Sequence, residues 1–267
     1  MDYLPAVREG RLPAIRLFAF FGGYETCDKS MLTLFRGLGE LRRIPFQYFL
    51  IEHPGGRMMF DTGPNPAHLE RKAEYPPAHQ FGSIVTPSDL APSRLAEVSL
   101  RPEQIDLVAN SHLHYDHAGG NCYFPNASFL VQFDELQGAW WPEVYARDNY
   151  CREDFDLPVT YDELDGDRDV FGDGSVFLIQ TPGHTRGSQS LVIRLRETGT
   201  LILAQDAVYL RENLDDLVLA PTCWDQRSML RSFHRLRDLR RIEHATVVPG
   251  HDWDAWSELH HAPEPYA

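Results

Sequence analysis

The sequence predicts an α/β protein in which layered β-sheets are covered by helices. Two observations lead there. Four separate β-rich runs each end at a residue able to ligate a metal: the histidine cluster at 112–117, His184, Asp206 and His251. Helical patterns are interspersed among the strand runs, as sheets faced by helices require. The chain has 267 residues, of which 43% are hydrophobic, so it has ample material for a packed core. It is read as a single domain over 1–267.

The elements follow in order. Arg16 to Phe21 (RLFAFF) reads as a first strand. Ile44 to Glu52 and Met58 to Asp61 flank Gly55-Gly56 and read as a hairpin. Thr62-Gly63-Pro64-Asn65-Pro66 then breaks the pattern. Residues 64–90 are rich in Pro, His and charge and predict an irregular or partly helical excursion. A short helix is expected from Ala91 to about Val98. Ile105–Ala109 predicts a buried strand leading into the histidine cluster. Ala127–Gln132 predicts a strand, followed by a helix containing Leu136 and Trp140. Val176–Gln180 is a strand ending at Thr181-Pro182-Gly183-His184, and Ser190–Leu195 with Thr200–Leu203 form a second hairpin ending at Gln205-Asp206. Asp225–Arg241 is the clearest helix, with Met229, Leu230, Phe233, Leu236 and Leu239 on one face and arginines on the other, solvated face. Ala245–Val248 is the last strand and ends at Pro249-Gly250-His251-Asp252.

The histidine cluster carries the chemistry. In Ser111-His112-Leu113-His114-Tyr115-Asp116-His117-Ala118-Gly119-Gly120, three imidazoles and a carboxylate follow an H-x-H-x-D-H spacing. These donors suit zinc and similar divalent ions. The cluster alone is half a site, and the later strand ends supply further donors. Gly119 and Gly120 are expected to allow a tight passage behind the ligands.

The formal net charge of −14 argues against nucleic acid or an anionic membrane as the main partner, because both need clustered Lys and Arg. Cys27, Cys122, Cys151 and Cys223 are scattered, with no C-x-x-C pair, and are expected to be free thiols. The first ten residues lack the basic and apolar regions of a signal peptide, and no apolar run is long enough to span a bilayer. A soluble cytoplasmic protein is the expectation. His53, His68, His79, His234, His244, His260 and His261 fit no ligand slot and are expected to be ordinary surface or core residues.

Taken together, SHLHYDHAGGN, TPGHTRGSQSL, LAQDAVY, VVPGHD and FDTG resemble the metallo-β-lactamase superfamily. Within it, the first two segments, a tyrosine three residues after the aspartate of LAQDAVY, and the ending PEPYA look most like the N-acyl-homoserine lactonases. The resemblance runs from about Phe46 to the C-terminus. It implies a four-layer αββα sandwich with a two-metal site between the sheets. By position, His112, His114 and His184 would hold one metal, Asp116, His117 and His251 the other, and Asp206 would bridge them. The implied cofactors are two divalent ions, Zn²⁺ first, with Mn²⁺, Co²⁺ or Fe²⁺ compatible with the same donors. Asp61 matches the superfamily's supporting aspartate, and an ordinary turn aspartate is the competing reading. A homodimer exchanging the 64–90 excursion is compatible with the resemblance.

The resemblance implies an enzyme that opens the lactone ring of N-acyl-homoserine lactones with a hydroxide bridging two metal ions. Asp116 would relay a proton to the leaving oxygen, and Tyr209 would donate to the carbonyl; a merely packed Tyr209 is the alternative. A broader lactone, aryl ester or phosphotriester hydrolase on the same site remains the alternative function, and a non-enzymatic binding protein the remote one. Other members of the superfamily fit less well. The flavin-coupled oxidases carry an acidic residue where His114 stands. The glutathione thioesterases carry basic residues near the C-terminus, whereas HDWDAWSELHHAPEPYA has no Lys or Arg. Two positions depart from the lactonase pattern: Tyr115, where phenylalanine is common, and Gln205, where a smaller or aliphatic residue is usual. Phe18–Phe21, Met31, Leu34, Phe35, Phe81 and Trp140-Trp141 offer apolar surface for an acyl chain or, equally, for the core.

Overall fold

The computed structural model describes residues 4–75 and 82–267. His79 and Phe81 lie outside the described residues. Strands β1 (Arg16–Asp28), β2 (Leu41–His53), β3 (Gly56–Phe60), β4 (Leu107–Ala109), β5 (Ser128–Gln132) and β6 (Thr160–Leu164) form one sheet in that order. The first three pair antiparallel and the rest parallel. Strands β7 (Arg168–Asp169), β8 (Val176–Gln180), β9 (Gln189–Leu195), β10 (Gly199–Gln205) and β11 (Thr246–Pro249) form the second sheet, with β11 parallel to β10 and the other pairs antiparallel.

Side-chain alternation sorts the strands into layers. Leu17 and Ala19 of β1, Met58 and Phe60 of β3, and Val176 and Leu178 of β8 meet in the core between the sheets. Their neighbours Phe18, Phe20 and Met59 face outward beneath Leu95 and Leu136, which two helices contribute, Ala91–Glu97 and Phe133–Trp140. Phe177 and Ile179 face the opposite way, beneath Met229, Phe233, Leu236 and Leu239 of the helix Gln226–Ile242. Two mixed sheets, each faced by helices, make the αββα sandwich. Asp225 caps that last helix by accepting from Ser228 N at 2.7 Å, an N-cap worth about 1 kcal/mol.

The predicted strands and helices are present, with shifted ends. β1 continues seven residues beyond Phe21, through a bulge at Gly22-Gly23, to Asp28. The excursion holds only the short helical turns Ala67–Glu70 and Pro87–Asp89 among its described residues. The polar edge strands β6 and β7 are additions. Among the described residues no helix is long and apolar enough to cross a membrane. All four cysteines are free.

Most of the apolar residues considered for an acyl wall sit elsewhere. Phe18 and Phe20 are core, and Trp140 packs on Phe155 with ring centroids 5.6 Å apart. Phe35 and Trp141 are solvent-exposed. Only Met31 among the described ones lines the cleft over the histidine cluster. Alternation tells which residues point inward, not which cleft they meet.

Candidate metal centre

The strand ends converge as the spacing required. β4 delivers the chain into the 112–117 cluster, β8 leads to His184, β10 to Asp206 and β11 to His251. Gly119 and Gly120 let this turn press against the chain after β3. A Cβ at Gly119 would sit 2.4 Å from Asn65 N, and one at Gly120 2.2 Å from Thr62 O, so no larger residue fits.

All seven donors are buried and face one another. His184 Nε2 lies 3.2 Å from His112 Nε2 and 2.9 Å from His114 Nδ1. Asp206 Oδ1 lies 3.1 Å from both His117 Nε2 and His251 Nε2, and its Oδ2 is 3.3 Å from His184 Nε2. Asp116 Oδ2 is 3.3 Å from His117 Nε2 and 3.6 Å from His251 Nε2. Three groups of donors each lie within 4.8 Å of one another: His112, His114 and His184; Asp116, His117 and His251; and His112, His117 and Asp206. The third group joins the other two.

The donor chemistry fits divalent ions. His117 Nε2 and Asp206 Oδ1 are buried without a hydrogen-bond partner, a costly state for polar atoms unless a cation completes it. Most of the other ring nitrogens are already engaged. His117 Nδ1 meets Asp61 Oδ2 at 2.8 Å, His251 Nδ1 meets Pro45 O at 3.0 Å, His112 Nδ1 meets Ser111 Oγ at 3.0 Å and His184 Nδ1 meets Tyr209 Oη at 2.7 Å. Such contacts fix the tautomer and aim the free lone pair.

Electrostatics divides the centre. Burial and neighbouring imidazoles hold His112 and His114 well below the usual histidine range, and burial also lowers His184. Burial pulls on His117 and His251 too, but carboxylates outweigh it. Asp116, Asp206 and Asp61 hold His117 well above its ordinary value, and Asp206 and Asp116 lift His251 to about 9. Burial acts to raise Asp206, yet the surrounding imidazoles hold it well below the usual carboxylate range.

Asp61 is fully buried in a left-handed conformation, φ 60°. It accepts from Ser111 N at 2.6 Å, from Ser111 Oγ at 2.8 Å and from the Gln205 amide as well as facing His117. This is more than a turn residue does. Gln205, one of the two departures from the family pattern, thus braces Asp61. Tyr209 lines the cleft beside Asp206 and His251, and burial holds its phenol well above the usual tyrosine range, hence neutral. With His184 Nε2 turned to the centre, its Nδ1–H donates to Tyr209 Oη, and the phenolic proton has only the long contacts to Thr222 O and Oγ1, both 3.5 Å.

One supporting residue escaped the sequence reading. Glu135 Oε1 accepts from Leu113 N at 2.9 Å and Tyr150 Oη at 3.1 Å; Oε2 accepts from Thr185 Oγ1 at 2.5 Å and Gly187 N at 3.2 Å. It ties the loop of His112 and His114 to the loop of His184. The available signal was a glutamate on the buried face of an amphipathic helix, beside Ala139 one turn on. Among the described residues, no other histidine joins the donor groups, although His68 Nε2 is buried without a hydrogen-bond partner. His53 meets Asp173 at 3.0 Å, His261 stacks on Trp256 and His260 on Tyr266, and His68 is buried between Tyr75 and Tyr115.

Two clefts meet at His114 and His184. One, of about 320 Å³, lies over the donors and is walled by Glu25, Met31 and Ile44. The other, of about 250 Å³, runs between Tyr145, Tyr150, Arg186 and Trp224.

Comparison with known proteins agrees with this geometry. Residues 47–251 match the metallo-beta-lactamase superfamily. The chain is 34% identical to the N-acyl homoserine lactonase AttM of Rhizobium radiobacter, over 95% of this chain and 99% of the relative. It is 31% identical to the N-acyl homoserine lactonase AiiA of Bacillus thuringiensis subsp. kurstaki, over 80% of this chain and 84% of the relative. Among solved structures, an N-acyl homoserine lactone hydrolase with N-hexanoyl-L-homoserine at its catalytic metal centre superposes with a TM-score of 0.85 and 29% identity, covering 95% of this chain and 100% of that one. The chain therefore belongs to the metallo-beta-lactamase superfamily and, within it, to the N-acyl homoserine lactonase family of hydrolases.

Proposed function

We propose that this protein opens the lactone ring of N-acyl-homoserine lactones at a centre of two divalent metal ions, zinc being the ion proposed. The observation that carries the reading is the convergence of five imidazoles and two carboxylates around buried atoms that lack any other partner. His112, His114 and His184 would hold one ion, Asp116, His117 and His251 the other, with Asp206 shared. When bound, such a pair of ions would supply a hydroxide nucleophile at neutral pH and Lewis-acid polarisation of the ester.

The protein's own residues do the rest. Tyr209 donates its phenolic proton to the lactone carbonyl oxygen as negative charge develops there. Asp116 lines the same cleft and relays the proton of the attacking hydroxide to the ring oxygen as the C–O bond breaks. Asp61 holds His117, and Glu135 holds both loops of the imidazole-only side. The acyl arm has two clefts available, both reaching His114 and His184.

The test is hydrolysis of N-acyl-homoserine lactones of graded chain length, δ-lactones and aryl phosphotriesters, with metal content measured on the same sample. Ring opening of the N-acyl-homoserine lactones by a protein carrying about two ions per chain is the expected result. Preference for another class would move the reading to a broader hydrolase, and no hydrolysis with less than one ion would revive a binding protein. Tyr209→Phe should lower kcat about 10²-fold, in line with loss of one oxyanion donor, with metal content unchanged. Unaltered kinetics would remove its role.

A further inference from the structure

The bulge in β1 carries an acidic side chain to the cleft. The register shifts between Phe21 and Tyr24; Tyr24 then pairs with Pro45 of β2 and also bridges to Ile84. Gly23 has φ 101°, and a Cβ there would come within 2.5 Å of Ile84 O. Beyond the bulge, Glu25 enters the wall of the cleft that also holds Asp116, Asp206, Tyr209 and His251. Its neighbours on that wall are mostly apolar: Cys27, Met31, Leu32 and Ile44.

Glu25 is held from one side only. Its Oε2 accepts from Tyr115 Oη at 2.5 Å and from Ser83 Oγ at 3.5 Å. Tyr115 is itself seated by Phe46 and His68, at ring distances of 6.1 and 6.0 Å. No arginine or lysine pairs with Glu25 among the described residues, and its Oε1 has no donor among them. Burial lifts this carboxyl to about 7, but an acceptor oxygen remains in either protonation state. A carboxyl placed on an apolar wall beside a reaction centre, with one oxygen fixed and the other free, is arranged to accept a hydrogen bond from a ligand. In an N-acyl-homoserine lactone, the amide N–H sits on the carbon next to the lactone carbonyl, close to the reacting atoms.

We propose that the Tyr115–Glu25 pair is a specificity element: Glu25 Oε1 accepts the amide N–H of the substrate, and Tyr115 holds the carboxyl in place to do so. The proposal rests on the lactonase reading and deepens it. The cleft would select γ-lactones that carry a hydrogen-bond donor on the ring carbon next to the carbonyl. Tyr115 would then be a positioning residue, and its departure from phenylalanine would supply the hydroxyl that Glu25 requires.

The experiment compares N-hexanoyl-homoserine lactone with its ester isostere, α-hexanoyloxy-γ-butyrolactone, in which oxygen replaces the N–H. The wild type should prefer the amide by about tenfold in kcat/KM, the scale of one hydrogen bond to the buried carboxyl. Glu25→Leu should bring the ratio close to one, and Glu25→Gln, which keeps an acceptor oxygen, should retain part of the preference. Tyr115→Phe should reduce the ratio with metal content unchanged. Hydrolysis of both compounds by the wild type at equal kcat/KM would overturn the proposal and leave the lactonase reading intact, whether or not the Leu variant folds. An unchanged preference in Glu25→Leu or Tyr115→Phe would overturn it too. Hydrolysis of neither compound by the wild type would remove the lactonase reading and this role together.

Discussion

The two sides of the proposed metal centre are built from nearly the same parts and hold protons in opposite ways. His112, His114 and His184 face one another; burial and neighbouring imidazoles depress the first two, and burial depresses His184 against the pull of Asp206. His117 and His251 are as deeply buried but face Asp116 and Asp206, and those carboxylates raise them. The first side is a set of bare lone pairs at neutral pH, while on the second a cation must displace protons. The difference shows that burial alone does not set the state of an imidazole; the balance of carboxylates against imidazoles around it tips the outcome, and at His184 burial prevails over Asp206.

The largest expected effect comes from removing what the two sides share. Asp206→Ala deletes the carboxylate that touches His117, His184 and His251. Metal and lactonase activity should be lost together, activity by at least 10³-fold, of the order of removing an essential catalytic group. Metal analysis and rate measurement on one preparation check this. Retention of both would break the shared-centre picture.

Next comes the pH dependence of metal uptake. Because His251 holds its proton up to about 9, metal binding on its side must release protons below that pH. Apparent affinity there should rise about tenfold per pH unit for each proton displaced, between pH 6 and 9. On the imidazole-only side it should stay nearly flat over that window, since those rings are already neutral. Competition of the metal-free protein with a chromophoric chelator, with proton release followed by an indicator, separates the two. Equal slopes for both equivalents would abolish the distinction.

A smaller effect is expected at Asp61, which touches only the second side through His117 Nδ1. Asp61→Asn keeps the shape but removes the charge and offers an amide N–H where donors already point. Metal affinity should fall about 10- to 100-fold, the usual cost of losing such a support, and the ion near His117 should leave first on dialysis. Far- and near-UV circular dichroism would show whether the fold persists. Loss of both ions at the same rate would mean that Asp61 supports the whole turn and not one side.

How much of this was legible beforehand depends on the range of the interaction. The seven donors could be read because four lie within six residues and the other three follow short apolar runs that read as strands. The four layers came from the resemblance, since runs such as Leu17–Phe20 are apolar throughout and only the structure sorts Leu17 and Ala19 from Phe18 and Phe20. Glu135 and Glu25 could not. Their roles come from loops 22 and 90 residues away in the chain, and no local period marks such contacts. Gly22-Gly23 reads as the end of a strand, yet the pair forms a bulge that Ile84 completes from the excursion. The edge strands β6 and β7 carry TYDEL and RD, polar segments made into strands by pairing with their neighbours.

Another buried carboxylate sharpens the contrast between the two sides. Asp154 is as inaccessible as Asp206, but neutral donors surround it: Asn65 Nδ2 at 2.6 Å and Tyr75 Oη at 2.7 Å. Burial therefore prevails, and its pKa rises to about 7, where Asp206 with its imidazoles falls. The sign of the linkage follows. Between its unfolded value near 4 and its folded value near 7, the folded state binds the extra proton, so stability falls as pH rises through that window. The loss is on the order of 4 kcal/mol by the time Asp154 ionises fully. Asp154→Asn cannot ionise, and its amide can still accept from Asn65 and donate to Tyr75 Oη. Urea unfolding of the metal-free protein at pH 5 and pH 8 should show a clearly smaller difference for the variant than for the wild type. Glu25, raised for the same reason, should leave part of the slope in place. Identical pH dependence in the two proteins would mean that Asp154 is ionised in the folded state, and that neutral donors suffice where the metal centre uses imidazoles.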